Sequence, residues 1–158
     1  MIVSCAIYYI FLYVQTYKRD FLTGIMNRRS FFNDVDEFSH DNYALVSIDL
    51  NGLKTINDTL GHQKGDEALQ GLADALMINR SKSFRVYRTG GDEFMAIGKG
   101  QNKEEVEHFI DNVKETLKKK NLMASFGYYM YTDGSSFDEV LAKADEKMYE
   151  DKKQYTHR

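Results

Sequence analysis

The chain has 158 residues, 42% apolar and 28% charged, which fits one globular domain and excludes a disordered tail. Lys plus Arg (21) against Asp plus Glu (24) leave a net charge of −3, so no basic nucleic-acid-binding surface is announced and no nucleic-acid partner is expected. The single cysteine, Cys5, excludes an internal disulfide and a CxxC metal knuckle, and the absence of proline excludes a proline-rich recognition segment.

The chain opens on an apolar run, residues 2–14 (IVSCAIYYIFLYV), followed by Tyr17, Lys18 and Arg19. It is shorter than the roughly 20 apolar residues of a spanning helix. It also lacks the basic leader and A-x-A site of a cleaved signal peptide. Three readings stay open: the end of a membrane helix, an interfacial anchor, or a helix packed on a partner. In the first, Lys18 and Arg19 lie on the cytoplasmic side, which tethers a cytoplasmic domain to the inner face of the membrane. The plain alternative is an ordinary packed or coiled helix with Cys5 as apolar filler. Residues 1–19 are therefore read as a hydrophobic linker helix and residues 20–158 as the domain.

From Asn27 to Ser39, Phe31, Phe32, Val35 and Phe38 recur at helical spacing. Residues 43–50 (YALVSIDL) form a short apolar run typical of a buried strand, ended by Asn51-Gly52. A second helix over residues 66–77 carries Ala68, Leu69, Leu72, Ala73 and Leu76. Residues 84–88 and 93–97 read as strands around Thr89-Gly90-Gly91-Asp92, a hairpin turn whose glycines are expected to supply positive φ. A helix over 104–117, a strand over 122–131, a turn at Asp133-Gly134 and a last helix follow. Ser136 and Glu139 have the spacing of a capping box at the start of that last helix. This order predicts an α+β fold: one mixed, mostly antiparallel central sheet flanked by helices.

Asp49 near the end of the first long strand and Asp92-Glu93 at the hairpin converge on one sheet rim if the two strands are neighbours. Converging carboxylates repel unless a cation intervenes. Hard oxygen ligands suit Mg²⁺ or Mn²⁺, and Lys54 nearby adds a counter-charge for phosphate. The plain alternative is a set of solvated turn acids. Other patterns fail. An EF-hand needs glycine and an acid where Lys54 and Leu60 stand, and Gly61-His62-Gln63-Lys64-Gly65-Asp66 lacks the Gly-Lys-Ser/Thr of a P-loop. The four histidines have no zinc spacing. Lys118-Lys119-Lys120 closes a helix, where cations suit the dipole.

Gly90-Gly91-Asp92-Glu93-Phe94 is the GGDEF signature, and the chain resembles the GGDEF-domain diguanylate cyclases. The flanking segments also match in family order: residues 20–29 (DFLTGIMNRR), residues 49–58 (DLNGLKTIND) with Gly61-His62 and Gly65-Asp66, and Ala144-Asp145 with Met148-Tyr149 and Lys152. The resemblance implies a nucleotide cyclase/polymerase palm-like fold. It implies condensation of two GTP into cyclic di-GMP with release of pyrophosphate, on a two-fold homodimer. It assigns Asp49, Asp92 and the Leu50 carbonyl to Mg²⁺ or Mn²⁺, and Glu93 to the metal or the attacking 3′-hydroxyl. It assigns Asn57 and Asp66 to guanine, and Lys54 and Lys152 to the β- and γ-phosphates. Ser81-Lys82-Ser83-Phe84 stands where the family carries Arg-x-x-Asp, so no inhibitory product site is expected. Gly52 and Leu53 replace frequent aromatic residues, and Thr156 stands where an Arg is frequent, with Arg158 out of register. A GTP-binding module without turnover is the alternative reading of these departures, and a purely structural dimerisation domain is a third.

Overall fold

A computed structural model describes residues 2–38, 42–131 and 134–156, without the side chains of 2, 11, 12, 14–16 and 156. The turn residue Asp133, the Thr156 side chain and Arg158 lie outside the described residues. Helix α1 (Ile2–Lys18) leads into strand β1 (Met26–Asn27) and helix α2 (Arg28–Phe38). Strand β2 (Tyr43–Leu50), helices α3 (Leu53–Leu60) and α4 (His62–Asn79), and the hairpin β3 (Phe84–Arg88) and β4 (Glu93–Lys99) follow. Helix α5 (Lys103–Lys119), strand β5 (Ala124–Met130) and helix α6 (Phe137–Thr156) complete the order.

The five strands form one sheet in the order β1-β3-β4-β2-β5. Only β1–β3 is parallel; β3–β4, β4–β2 and β2–β5 are antiparallel. This is the mixed, mostly antiparallel α+β sheet expected from the element order. All eight residues of β2 are buried. With strands on both sides and helices on both faces, β2 reads as an unbroken apolar run rather than an alternating one. Ala44, Val46, Ile48 and Leu50 pack with α4 and α5. Tyr43 and Leu45 pack with Phe31, Val35 and Phe38 of α2 and Val140 of α6. Asp49 shares this second face with Leu45, two pleats along.

Three elements escape the sequence pattern. Strand β1 has two residues, too few for any period. Helix α3 has eight, and none of them is buried. Gly52, read as the end of a strand, also caps α3 in the left-handed region at φ 75°. Helix α4 starts at His62, four residues before the expected position, because Gly61 breaks the chain between two consecutive helices. The capping box that forms in full is Asn102–Glu105, at the start of α5. At α6, the Ser136 hydroxyl accepts the Glu139 amide at 3.2 Å.

The hairpin forms as expected, but the reason offered for its glycines is corrected. Neither Gly90 nor Gly91 lies in the positive-φ region. A Cβ on Gly90 would stand 2.5 Å from Glu93 Oε2. Glycine at this position lets the Glu93 side chain fold back over the turn, and a methyl group there would push that carboxylate aside.

Helix α1 exposes Val3, Ile7, Tyr8, Tyr9, Ile10, Tyr13 and Tyr17, on more than one side. Among the described residues no helix is long and apolar enough to cross a membrane. The last turn of α1 is held by β1 and α2: Asn27 Nδ2 donates to the Tyr17 carbonyl at 2.8 Å and Ser30 Oγ to the Lys18 carbonyl at 2.8 Å.

Candidate active site

Strand β2 delivers Asp49 to the rim of the sheet. Its register partner on β4 is Glu93, so the two side chains leave the same face of adjacent strands. Leu50, the next residue, donates its amide to the Asp92 carbonyl at 3.1 Å. The strand end and the hairpin tip are therefore joined through the backbone. Asp92 is half-buried and Glu93 exposed.

Asp49 itself is 6% exposed. Its carboxylate accepts a hydrogen bond from Lys152 Nζ at 2.6 Å, across 103 residues of sequence. Burial pushes the Asp49 carboxyl above its ordinary value; the lysine opposes this, and the negative charge of Asp92 adds to it. The Lys152 ammonium is pushed up in turn, first by its bond to Asp49 and also by the charge of Asp92. The upward shift at Asp49 reports the cost of burying the carboxylate, and the shift at Lys152 reports the favourable pairing. Asp49, Asp92 and Glu93 against one lysine leave the rim short of positive charge.

The neighbouring Asn51 ties this rim to β5. Its amide donates to the Met123 carbonyl at 2.9 Å, and its Oδ1 accepts from Ser125 Oγ at 2.9 Å. Its buried Nδ2 has no hydrogen-bond partner among the described residues. Among the described residues no group of three or more His, Cys, Asp and Glu gathers at one point. Two carboxylates and a backbone carbonyl nevertheless fit Mg²⁺ or Mn²⁺. Such ions keep several waters and use one or two carboxylates together with substrate phosphates. A buried acid that already draws in a cation fits the same charge.

Lys54 lies exposed in the first turn of α3, whose amino end has no side-chain cap. Asn57 on α3 meets Gly65 on α4: a Cβ there would lie 1.9 Å from Asn57 Oδ1. Asp66 follows and is exposed. The fold thus brings Asn57 beside the Gly65-Asp66 step, and Lys152 against Asp49. Lys152 engages the acid itself rather than standing open as a phosphate counter-ion.

Sequence reasoning passed over what holds the signature turn. Arg88 donates to the Gly91 carbonyl from Nε at 3.2 Å and NH2 at 2.8 Å, while NH1 reaches Asp20 Oδ1 at 3.0 Å. Asp20 also accepts from the Thr23 amide and hydroxyl. Partial burial works against the Asp20 carboxylate, but these bonds and the Arg88 charge win and hold it below its ordinary 3.8. Such a group adds stability that is full above the unfolded value and is lost as pH falls through the folded one. Asp20→Asn is expected to cost about 1–2 kcal/mol at neutral pH. That difference should close as pH drops below 3.8. Urea denaturation at a series of pH values checks it; a gap that stays constant with pH rules it out.

Among the contacts that seat helix α6, three tie it to the two strands beside it. Ser47 Oγ donates to Asp145 at 2.5 Å, the Phe126 amide to Asp151 at 2.9 Å, and Lys152 to Asp49. Gly127 allows the approach: a Cβ there would meet Met148 N at 2.1 Å and the Ala144 carbonyl oxygen at 2.3 Å. A glycine inside a strand signals such an approach, though it does not name the partner.

A mixed, mostly antiparallel sheet with helices on both faces and a Gly-Gly-Asp-Glu-Phe hairpin beside its central strand is a palm-like α+β architecture. Residues 17–158 match the family described as "Diguanylate cyclase, GGDEF domain", and the chain belongs to the GGDEF family. Diguanylate cyclase VdcA of Vibrio cholerae serotype O1 is 28% identical over 147 residues, covering 84% of this chain and 43% of that protein. The chain spans less than half the length of the curated relatives it matches. The coiled coil and GGDEF domain of DgcB from Caulobacter crescentus, solved with c-di-GMP, has a TM-score of 0.89 at 20% identity, over 96% of this chain and 89% of that one. A microbial GGDEF domain studied for its interaction with bis-(3,5)-cyclic di-GMP is 26% identical, with a TM-score of 0.76 over 87% of this chain and 94% of that one.

Proposed function

We propose that residues 20–158 form the catalytic domain of a diguanylate cyclase. It condenses two GTP into cyclic di-GMP and releases two pyrophosphates, with residues 1–19 as its linker helix. The observation that carries this reading is the buried Asp49 carboxylate, cation-paired at the rim and in register with Glu93 of the signature. Asp49, Asp92 and the Leu50 carbonyl would hold Mg²⁺ or Mn²⁺. Such an ion, when bound, supplies Lewis-acid stabilisation of phosphoryl oxygens. Glu93, exposed beside Asp49, would assist at the metal or take the proton of an attacking 3′-hydroxyl. Lys54 and the uncapped amino end of α3 offset phosphate charge. Asn57 and Asp66 read guanine, the carboxylate accepting from N1–H and the exocyclic amine. Most of the rate gain is positioning and charge neutralisation.

Each domain holds one GTP, so two domains must face each other for each 3′-hydroxyl to meet the other α-phosphorus. The exposed apolar side chains of α1 leave it open to pairing with the same helix of a second copy. With GTP as substrate, the domain works on the cytoplasmic side of the membrane, and any anchoring would come through the N-terminal segment. The protein incubated with GTP and Mg²⁺ at high concentration should yield cyclic di-GMP and pyrophosphate. GTP binding with no pyrophosphate release makes it a regulatory module instead.

Gly65→Ala tests the guanine pocket. The added methyl must displace the Asn57 amide, Oδ1 being 1.9 Å away. Affinity for GTPγS should fall about 30-fold, the equivalent of about 2 kcal/mol for a misplaced polar contact. Calorimetric titration measures it, and an unchanged affinity removes Asn57 from the site.

A further inference from the structure

We propose that Lys152 is an exchangeable occupant of the metal site. It neutralises Asp49 while no divalent cation is bound, is expelled when one binds, and is thereby handed to the nucleotide phosphates. The inference rests on the cyclase reading and concerns how metal and nucleotide loading are linked.

The argument starts from the cost of a buried carboxylate. Asp49 is almost fully covered between β4, β5 and α6, and an unpaired charge there would be strongly destabilising. The chain meets this with the lysine of α6, whose Nζ lies 2.6 Å from Oδ2. Lysine suits a temporary post: it is a compact charge on a flexible stem. Its side chain is 38% exposed against 8% for Asp49, so of the two partners the lysine has the more room to move toward solvent.

The helix beneath it has no such freedom. Asp145 is bonded to Ser47, Asp151 to the Phe126 amide, and Gly127 lies against the α6 backbone. Relocation therefore involves only the Lys152 side chain, swinging about a fixed Cα.

Charge decides which cation stays. The charge of Asp92 bears on both members of the pair and Glu93 stands in register with Asp49, so three carboxylates face one ammonium at the rim. A dication balances that set better than an ammonium does. Once it takes an Asp49 oxygen, like-charge repulsion makes a lysine at hydrogen-bond distance untenable. The nearest new negative charge would be the polyphosphate brought in by the substrate. Metal binding would thus cost an ion pair in the free protein and recover it when nucleotide is present. The linkage is reciprocal: nucleotide phosphate that draws Lys152 away also raises affinity for the cation.

The test uses metal alone, with no nucleotide and no turnover. Mn²⁺ titration of the whole chain, followed by the electron paramagnetic resonance signal of the free ion, gives the affinity directly. Lys152→Met should bind Mn²⁺ about tenfold more tightly than the unsubstituted protein, because no partly exposed ion pair has to be broken. Lys152→Arg retains the competing charge and should stay within about twofold of it. Thermal melts should show the Met variant less stable without metal, yet raised further by Mn²⁺. If the Met variant fails to fold, the Lys152 side-chain ¹⁵Nζ resonance of the unsubstituted protein decides, and it should shift on adding Mg²⁺. Equal or weaker Mn²⁺ binding by Lys152→Met, or an Nζ resonance indifferent to Mg²⁺, overturns the proposal. Either result leaves the cyclase reading intact, since that reading stands or falls on product formed from GTP.

Discussion

Asp92→Asn is expected to lower cyclic di-GMP formation by about 10²–10³ at saturating Mg²⁺, the usual size for losing one charged stabiliser of a phosphoryl transition state. The folded chain should barely notice. Asp92 sits half-buried in a turn, and its tie to β2 is the backbone bond from the Leu50 amide, which asparagine preserves. Only the carboxylate charge is lost, and the Asp49 carboxyl is relieved of a like-charged neighbour. Product chromatography and thermal denaturation on the same preparation check both halves. A melting temperature that falls along with activity would recast Asp92 as a structural residue.

Gly127→Ala carries the largest expected effect on stability. A methyl at this position meets three backbone atoms of α6: Met148 N at 2.1 Å, Ala144 O at 2.3 Å and Lys147 C at 2.6 Å. Backbone cannot rotate aside, so the whole helix must lift from β5. Overpacking of this kind costs about 3 kcal/mol. For a chain of this length that corresponds to a fall of about 6–12 °C in melting temperature. Gly71→Ala is the contrasting case. Its methyl would meet Leu122 Cδ1 at 2.7 Å, the movable tip of a side chain. Within α4 the gain in helix propensity offsets much of that contact. Calorimetry should separate the two variants clearly; equal melting temperatures would mean α6 is not held closely to the sheet.

The parts of the fold legible in the sequence are those whose burial leaves a mark on it, as an unbroken apolar run or as a helical stripe. Residues 43–50 were recognisable as a strand because β2 is covered on both faces, and Val106, Phe109, Ile110, Val113 and Leu117 marked α5 because they line one side of it. Helix α3 was hidden because it buries no residue, and β1 because it is held by β3 rather than by any pattern of its own. At the site, the residue types of the motifs pointed to Asp49 and Asp92. Their setting did not show, because it depends on long-range packing. Nothing local to Lys152 reveals Asp49 103 residues away, and nothing in Gly90-Gly91 reveals the Glu93 carboxylate folded against the first of them. Arg88 looked like an ordinary strand residue. Its bonds to Asp20 and the Gly91 carbonyl exist only once the chain has closed.

The central place of β2 gives the two acids different mechanical footings. Amides of a strand hydrogen-bonded on both sides and buried throughout exchange with deuterated solvent chiefly through global unfolding, whereas a surface hairpin tip opens on its own. Asp49 is therefore expected among the slowest-exchanging residues and Asp92 in a faster segment, held at the tip by the Arg88 and Leu50 bonds. An agent acting on the tip alone can therefore loosen one half of the cation grip while the other half stays as rigid as the core.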